Sequence, residues 1–121
     1  VAEPGGTVGW VGDANLVPRY KPKIPAIYAM SYEMFGFKFF YIEAGSGADQ
    51  PIPPEMVGYT RKAAPEIILV IGGGIRDAKA AYMAAKAGAD IVVTGTVVEE
   101  VDDVKAKIQE LTGAIKKASL E

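Results

Sequence analysis

The 121-residue sequence contains no cysteine and no histidine. The first absence excludes disulfides, and the cytoplasm is the expected compartment. The second removes histidine-based catalysis and the usual zinc sites, so proton transfer falls to Asp, Glu, Lys or Tyr. There is no basic excess: 13 Lys and Arg face 15 Asp and Glu, for a net charge of -2, and no nucleic-acid partner is expected. No apolar run approaches the length of a membrane span. What remains is half hydrophobic residues with 14 glycines, a composition that suits one globular unit. The first residue is Val1, with no signal-peptide pattern after it, so a preceding segment is expected. Leu120-Glu121 reads as a tag remnant, which leaves 1–119 as the folded unit.

Glycine and proline punctuate the chain regularly. Val1 to Pro18, with Gly5, Gly6, Gly9 and Gly12, reads as the end of a strand and a long loop. A helix, "AIYAMSYEMFG", follows and stops at Gly36. Phe37 to Ile42 is a strand by its aromatic and β-branched content. "DQPIPPEMVGYTRKAA" gives a loop and a short helix with Pro54 in its first turn. Ile67 to Ile71 reads as a strand buried on both faces. Asp77 caps the helix "AKAAYMAAKAG", which ends at Gly88, and Ile91 to Val93 is a second buried strand. Val101, Val104, Ile108, Leu111 and Ile115 share one face of a final helix. The order β-α-β-α-β-α-β-α predicts parallel strands joined by crossover helices. A doubly wound sheet and part of a (β/α)8 barrel both fit, and a whole barrel needs roughly twice this length.

Two glycine turns favour the barrel. "IGGGIRDA" lies between a strand and a helix, where backbone N–H groups and the helix dipole favour an anion. It is neither the G-x-G-x-x-G dinucleotide fingerprint nor a P-loop. The next strand closes on "TGT", and two such turns in succession fit the phosphate site of many barrels. The plainer reading makes these glycines tight turns only. Earlier, "FYIEAGSGA" places Phe37, Phe39, Tyr41 and Glu43 on one strand face, with Phe40 and Ile42 on the other, facing the helices. If the first face is the barrel interior, Glu43 stands at the rim beside Gly45, Ser46 and Gly47. There a carboxylate can take a proton or hydrogen bonds from an alcohol.

"EPGGTVGWVGDA", "FYIEAGSGA", "PIPPEMV", "IGGGIRDA" and "GADIVVTGTVVEE", in that order, resemble the archaeal geranylgeranylglyceryl phosphate synthases, relatives of bacterial heptaprenylglyceryl phosphate synthases. The resemblance spans nearly the whole chain, and "YIEAGSG" with "PPEMV" is its most specific part. It implies the C-terminal half of a (β/α)8 TIM barrel, from the end of strand five to helix eight, with about four parallel strands. It implies a prenyltransferase that joins sn-glycerol 1-phosphate to geranylgeranyl diphosphate with Mg2+ in lipid biosynthesis. By the same resemblance, Tyr41, Glu43, Gly45 and Ser46 hold the glycerol, and Glu43 is the base. Gly73, Gly74, Gly95 and Thr96 hold the phosphate, and Arg76 is a possible helper or an ordinary exposed arginine. The Mg2+ ligands are expected in the N-terminal half rather than at Asp13. Gly5, Gly6 and Gly9 either border a prenyl groove or only make turns. Trp10 is expected either at a contact in a homo-oligomer or as a loop plug. The alternatives are another phosphate-binding barrel enzyme, and a half-barrel that binds phosphate or self-associates without catalysis.

Overall fold

The computed structural model describes residues 1–121. Three parallel strands lie in the order β1-β2-β3: β1 (Phe39–Glu43), β2 (Ile68–Gly72) and β3 (Ile91–Val93). Six helices surround them: α1 (Gly6–Val11), α2 (Ile24–Met34), α3 (Pro54–Ala63), α4 (Ala78–Ala87), α5 (Thr96–Glu100) and α6 (Val104–Leu120). None is long and apolar enough to cross a membrane.

The strand register sorts the side chains. Phe39, Tyr41 and Glu43 pair with Ile68, Val70 and Gly72, and the last two pair with Ile91 and Val93. These residues form one face of the sheet. Ile42, Leu69 and Ile71 point the other way, into a core shared with Met56 and Val57 of α3 and Ala81 and Ala84 of α4. The expected orientation of β1 is therefore correct: Ile42 is buried, and Phe40 meets Tyr32 of α2 edge-on, with ring centroids 5.4 Å apart. The opposite face is open, with Phe39 57%, Tyr41 45% and Ile91 41% exposed.

Several expectations are corrected. β1 starts and ends later than Phe37–Ile42, because Phe37 lies against Tyr32 in the turn after α2. The first expected strand is reduced to Ala2, whose amide donates to the Glu43 carbonyl at 2.8 Å and which bridges Val17. The loop after it contains α1. Two glycines in six residues argue against a helix there, but Gly9 is buried and lets α1 pack against the Leu16 side chain. Ile91 and Val93 are not buried on both faces, since they belong to the open side of an edge strand. Val101 is not part of the last helix. Asp103 caps α6 by accepting from the Ala106 amide at 2.9 Å, and Leu111 and Ala118 are the residues that α6 buries. The cap at Asp77 and the left-handed stop at Gly88 (φ 118°) stand as expected.

Candidate active site

The loops that leave the C-terminal ends of the three strands close around one cavity of about 110 Å³. The β1 strand and its loop contribute Tyr41, Glu43, Ser46 and Gly47. The β2 loop brings Gly73, Gly74 and Arg76, and the β3 loop brings Thr94, Gly95 and Thr96. Of the residues expected to hold the glycerol phosphate, only Gly45 does not line it. Gly45 lies beneath, where a Cβ would sit 2.7 Å from the Gly5 carbonyl and its φ of 98° disfavours any side chain.

Gly73 repeats this one loop further on. Its φ is 83°, and a Cβ would meet the Gly45 amide and carbonyl at 2.9 and 2.8 Å. Backbone is thus stacked on backbone from Gly5 through Gly45 to Gly73. Thr94 ties the third loop to the second by donating its hydroxyl to the Ile75 carbonyl at 2.9 Å.

The amides of Gly73, Gly74 and Gly95 donate to no group of the chain. Backbone N–H groups left this way need an outside acceptor, either water or a ligand. The start of α4 is different. Asp77 takes the Ala80 amide at 2.7 Å, and Glu110 of α6 takes the Ala78 amide at 3.0 Å. The expected pull of that helix on an anion is therefore met largely by the chain's own carboxylates, which leaves the glycine amides as the free donors.

Glu43 accepts from the Gly45 amide at 2.7 Å through Oε1. This bond fixes the carboxylate at the strand end. The Tyr41 phenol is pushed up from its ordinary pKa by burial first, then by its hydrogen bond to Glu43 and the charge of that carboxylate. Tyr41 therefore stays protonated and serves as a hydrogen-bond donor. Of the pair, Glu43 is the group able to accept a proton. Tyr41 also depends on Gly72, where a Cβ would run into its hydroxyl and lie 2.9 Å from two ring carbons.

The sequence reading missed two supports. Arg19 donates to the Pro51 carbonyl at 2.7 Å and holds the outer part of the β1 loop, against which Gly74 packs. Gly72 makes the seat of Tyr41. Neither has a local signal, since an arginine between Pro18 and Tyr20 reads as surface, and Gly72 merges with the two glycines after it. Asp13 and Trp10 line a separate cavity with Gly6, Gly9 and Leu16, and no three carboxylates of this chain converge as a metal site.

The model of the PcrB family matches residues 1–115. The chain is 72% identical over 121 residues to the geranylgeranylglyceryl phosphate synthase of Methanobrevibacter smithii, covering 100% of this chain and 48% of that protein. It is 60% identical over 116 residues to the synthase of Methanosarcina acetivorans, covering 96% and 47%. A crystal structure of (S)-3-O-geranylgeranylglyceryl phosphate synthase from Thermoplasma acidophilum, in complex with its substrate sn-glycerol-1-phosphate, superposes with a TM-score of 0.91. The identity is 39%, over 96% of this chain and 47% of that one. The chain spans about half the length of the relatives it matches. Its three-stranded sheet with outer helices is about half of the barrel they form.

Proposed function

Since the chain belongs to the PcrB family, we propose that it supplies the glycerol-phosphate half of the active site of a prenyltransferase, a geranylgeranylglyceryl phosphate synthase. The substrates are sn-glycerol 1-phosphate and geranylgeranyl diphosphate, and the product belongs to archaeal ether-lipid synthesis. The observation that carries this reading is the set of unpaired amides at Gly73, Gly74 and Gly95, on the same cavity as Glu43 and Tyr41. An anion at one end and a hydroxyl at the other is the chemistry of a glycerol phosphate. The names of the relatives support the same substrate.

The phosphate is held by Gly73, Gly74, Gly95 and Thr96. Tyr41, Glu43 and Ser46 orient the glycerol. The glycerol hydroxyl oxygen bonds to the allylic carbon of the prenyl diphosphate as that carbon's bond to the diphosphate oxygen breaks. Pyrophosphate leaves with the bonding pair, and the hydroxyl proton passes to Glu43. An allylic centre carries developing positive charge, so a weak base that acts late is enough. Holding the two substrates together lowers the barrier further. Mg2+ is the cofactor we expect at the diphosphate. No three carboxylates of this chain converge, and we expect the Mg2+ ligands in the N-terminal half of the complete barrel. A cytoplasmic, homo-oligomeric enzyme is part of the same proposal, and Trp10, 85% exposed, is a ready contact residue.

The test is Glu43→Gln in the full chain. Glutamine keeps an oxygen for the Gly45 amide and loses the base. The transfer rate should fall roughly 100-fold or more, with sn-glycerol 1-phosphate still bound. An unchanged rate removes Glu43 from the role. Binding of the mirror-image glycerol phosphate with equal affinity would overturn the substrate assignment.

A further inference from the structure

Arg76 is the only cationic side chain on the cavity, and Glu43 is the only anionic one. Its Nη2 donates to the Gly47 carbonyl at 3.2 Å, which turns the guanidinium back over the β1 loop. Its Nη1 lies 3.7 Å from Oε2 of Glu100, the last residue of α5. That separation is too long for a hydrogen bond. The two side chains are 41% and 58% exposed, so solvent screens the pair as well. The guanidinium is thus oriented by one hydrogen bond and balanced by one loose ionic contact.

From this arrangement we propose that Glu100 stands in for the substrate phosphate at Arg76, and that phosphate binding exchanges one anion for the other. The inference rests on the glycerol-phosphate reading of the cavity and adds to it a side-chain arm with a built-in competitor. The glycine amides supply geometry but no net charge, and Glu43 opposes a dianion in the same small space. A cation is needed to offset it, and Arg76 is the one available. A guanidinium presents paired N–H donors that match phosphate oxygens. While Glu100 shares it, the pair adds no net positive charge to the pocket. When phosphate displaces Glu100, the carboxylate returns to water beside Glu99, Asp102 and Asp103, all exposed. The exchange keeps an empty site from holding its cation unbalanced, and it lowers the affinity for phosphate by the strength of the Arg76–Glu100 pair.

The experiment is calorimetric titration of the full chain with sn-glycerol 1-phosphate at low salt, with glycerol as the uncharged control. Glu100→Gln should bind the phosphate ester about 1.5- to 5-fold tighter, the range of an exposed ion pair. Arg76→Ala should bind it more weakly, and Arg76→Lys should fall between Arg76→Ala and the parent. The gain from Glu100→Gln should largely vanish in the Arg76→Ala background, a coupling that a double-mutant cycle isolates. If Glu100→Gln leaves affinity unchanged or weakens it, the exchange is overturned. It is equally overturned if the gain persists in full without Arg76, since the carboxylate would then act only through its long-range field. Glu100 is exposed, so its variant is expected to fold. If the parent chain binds no sn-glycerol 1-phosphate at all, it is the underlying functional reading that fails.

Discussion

The two ends of the parallel sheet use their backbone groups in opposite ways. At the N-terminal end, Arg61 of α3 donates to the carbonyls of Gly88, Pro65 and Ile67 and pairs with Asp90. Asp90 in turn accepts from the Leu69 amide at 2.7 Å, and Glu33 of α2 takes the amides of Glu66 and Ile67. Every turn into β2 and β3 is stitched by a charged side chain. At the C-terminal end, Gly73, Gly74 and Gly95 leave their amides without partners. Stitching suits turns that need only to hold still. Open amides suit turns whose partner arrives from solution. (β/α)8 barrels in general keep one end for stability and carry their active-site loops at the other, and the proposed function assigns the open amides to that second end.

The sharpest way to break the comparison is at Arg61. Arg61→Ala deprives four carbonyls, those of Gly88, Ala64, Pro65 and Ile67, and one carboxylate of their donor. Its side chain is 24% exposed, so the loss is less than for a fully buried pair. About 2–3 kcal/mol of unfolding free energy should go. Chemical denaturation measures this, and the affinity of the folded molecules for sn-glycerol 1-phosphate should not change. A parallel loss of affinity would mean that the two ends are not independent.

Gly73→Ala is the counterpart at the other end. A methyl group at φ 83° has to displace the Gly45 backbone or the Glu43 carboxylate. Loss of a charge-assisted amide contact is worth about 1.5–3 kcal/mol, so phosphate-ester affinity should fall roughly tenfold or more. Equal affinity before and after substitution would remove this loop from the anion site.

Gly72→Ala should have a smaller and more selective effect. It leaves the amides alone and dislodges the Tyr41 phenol toward the open face. A loss of one neutral hydrogen bond, several-fold in affinity, is expected. Tyr41→Phe should cost nothing further in that background. If the two losses simply add, Gly72 does not act through the hydroxyl.

These positions also mark how far the sequence could be read. The alternation Phe39, Tyr41, Glu43 was legible because a strand reports its faces with period two. Asp77 and Gly88 were legible because caps are local chemistry. The glycine turns were legible as tight strand-to-helix turns, but not the occupation of the α4 start, which depends on Glu110 reaching across from α6. Nothing near Arg61 or Glu33 in sequence reveals the amides and carbonyls they meet up to 34 residues away. α1 was missed because its support, Leu16 against Gly9, is a tertiary contact that outweighs weak local propensity. The open face of β3 was missed because a short apolar run does not tell which neighbours cover it.

The smallest effect concerns Glu110, which takes the Ala78 amide at the start of α4 as the charged side chains at the other end take theirs. Its carboxyl is held below its ordinary pKa by the hydrogen bond from Lys107, then by the Ala78 amide. A carboxyl with a lowered folded pKa stabilises the protein above its unfolded pKa, and that share is lost as pH falls through the folded value. Glu110→Gln should therefore flatten the acid limb of a Tm-against-pH curve slightly and leave its neutral and alkaline parts almost parallel to the parent. Glu110→Ala goes further by freeing the Ala78 amide at the start of α4. If phosphate-ester affinity does not respond, the anion is held by the glycine amides rather than by the helix start. If affinity rises, the helix end was a donor kept in check by Glu110, and the boundary between stitched and open amides runs one turn further along the chain.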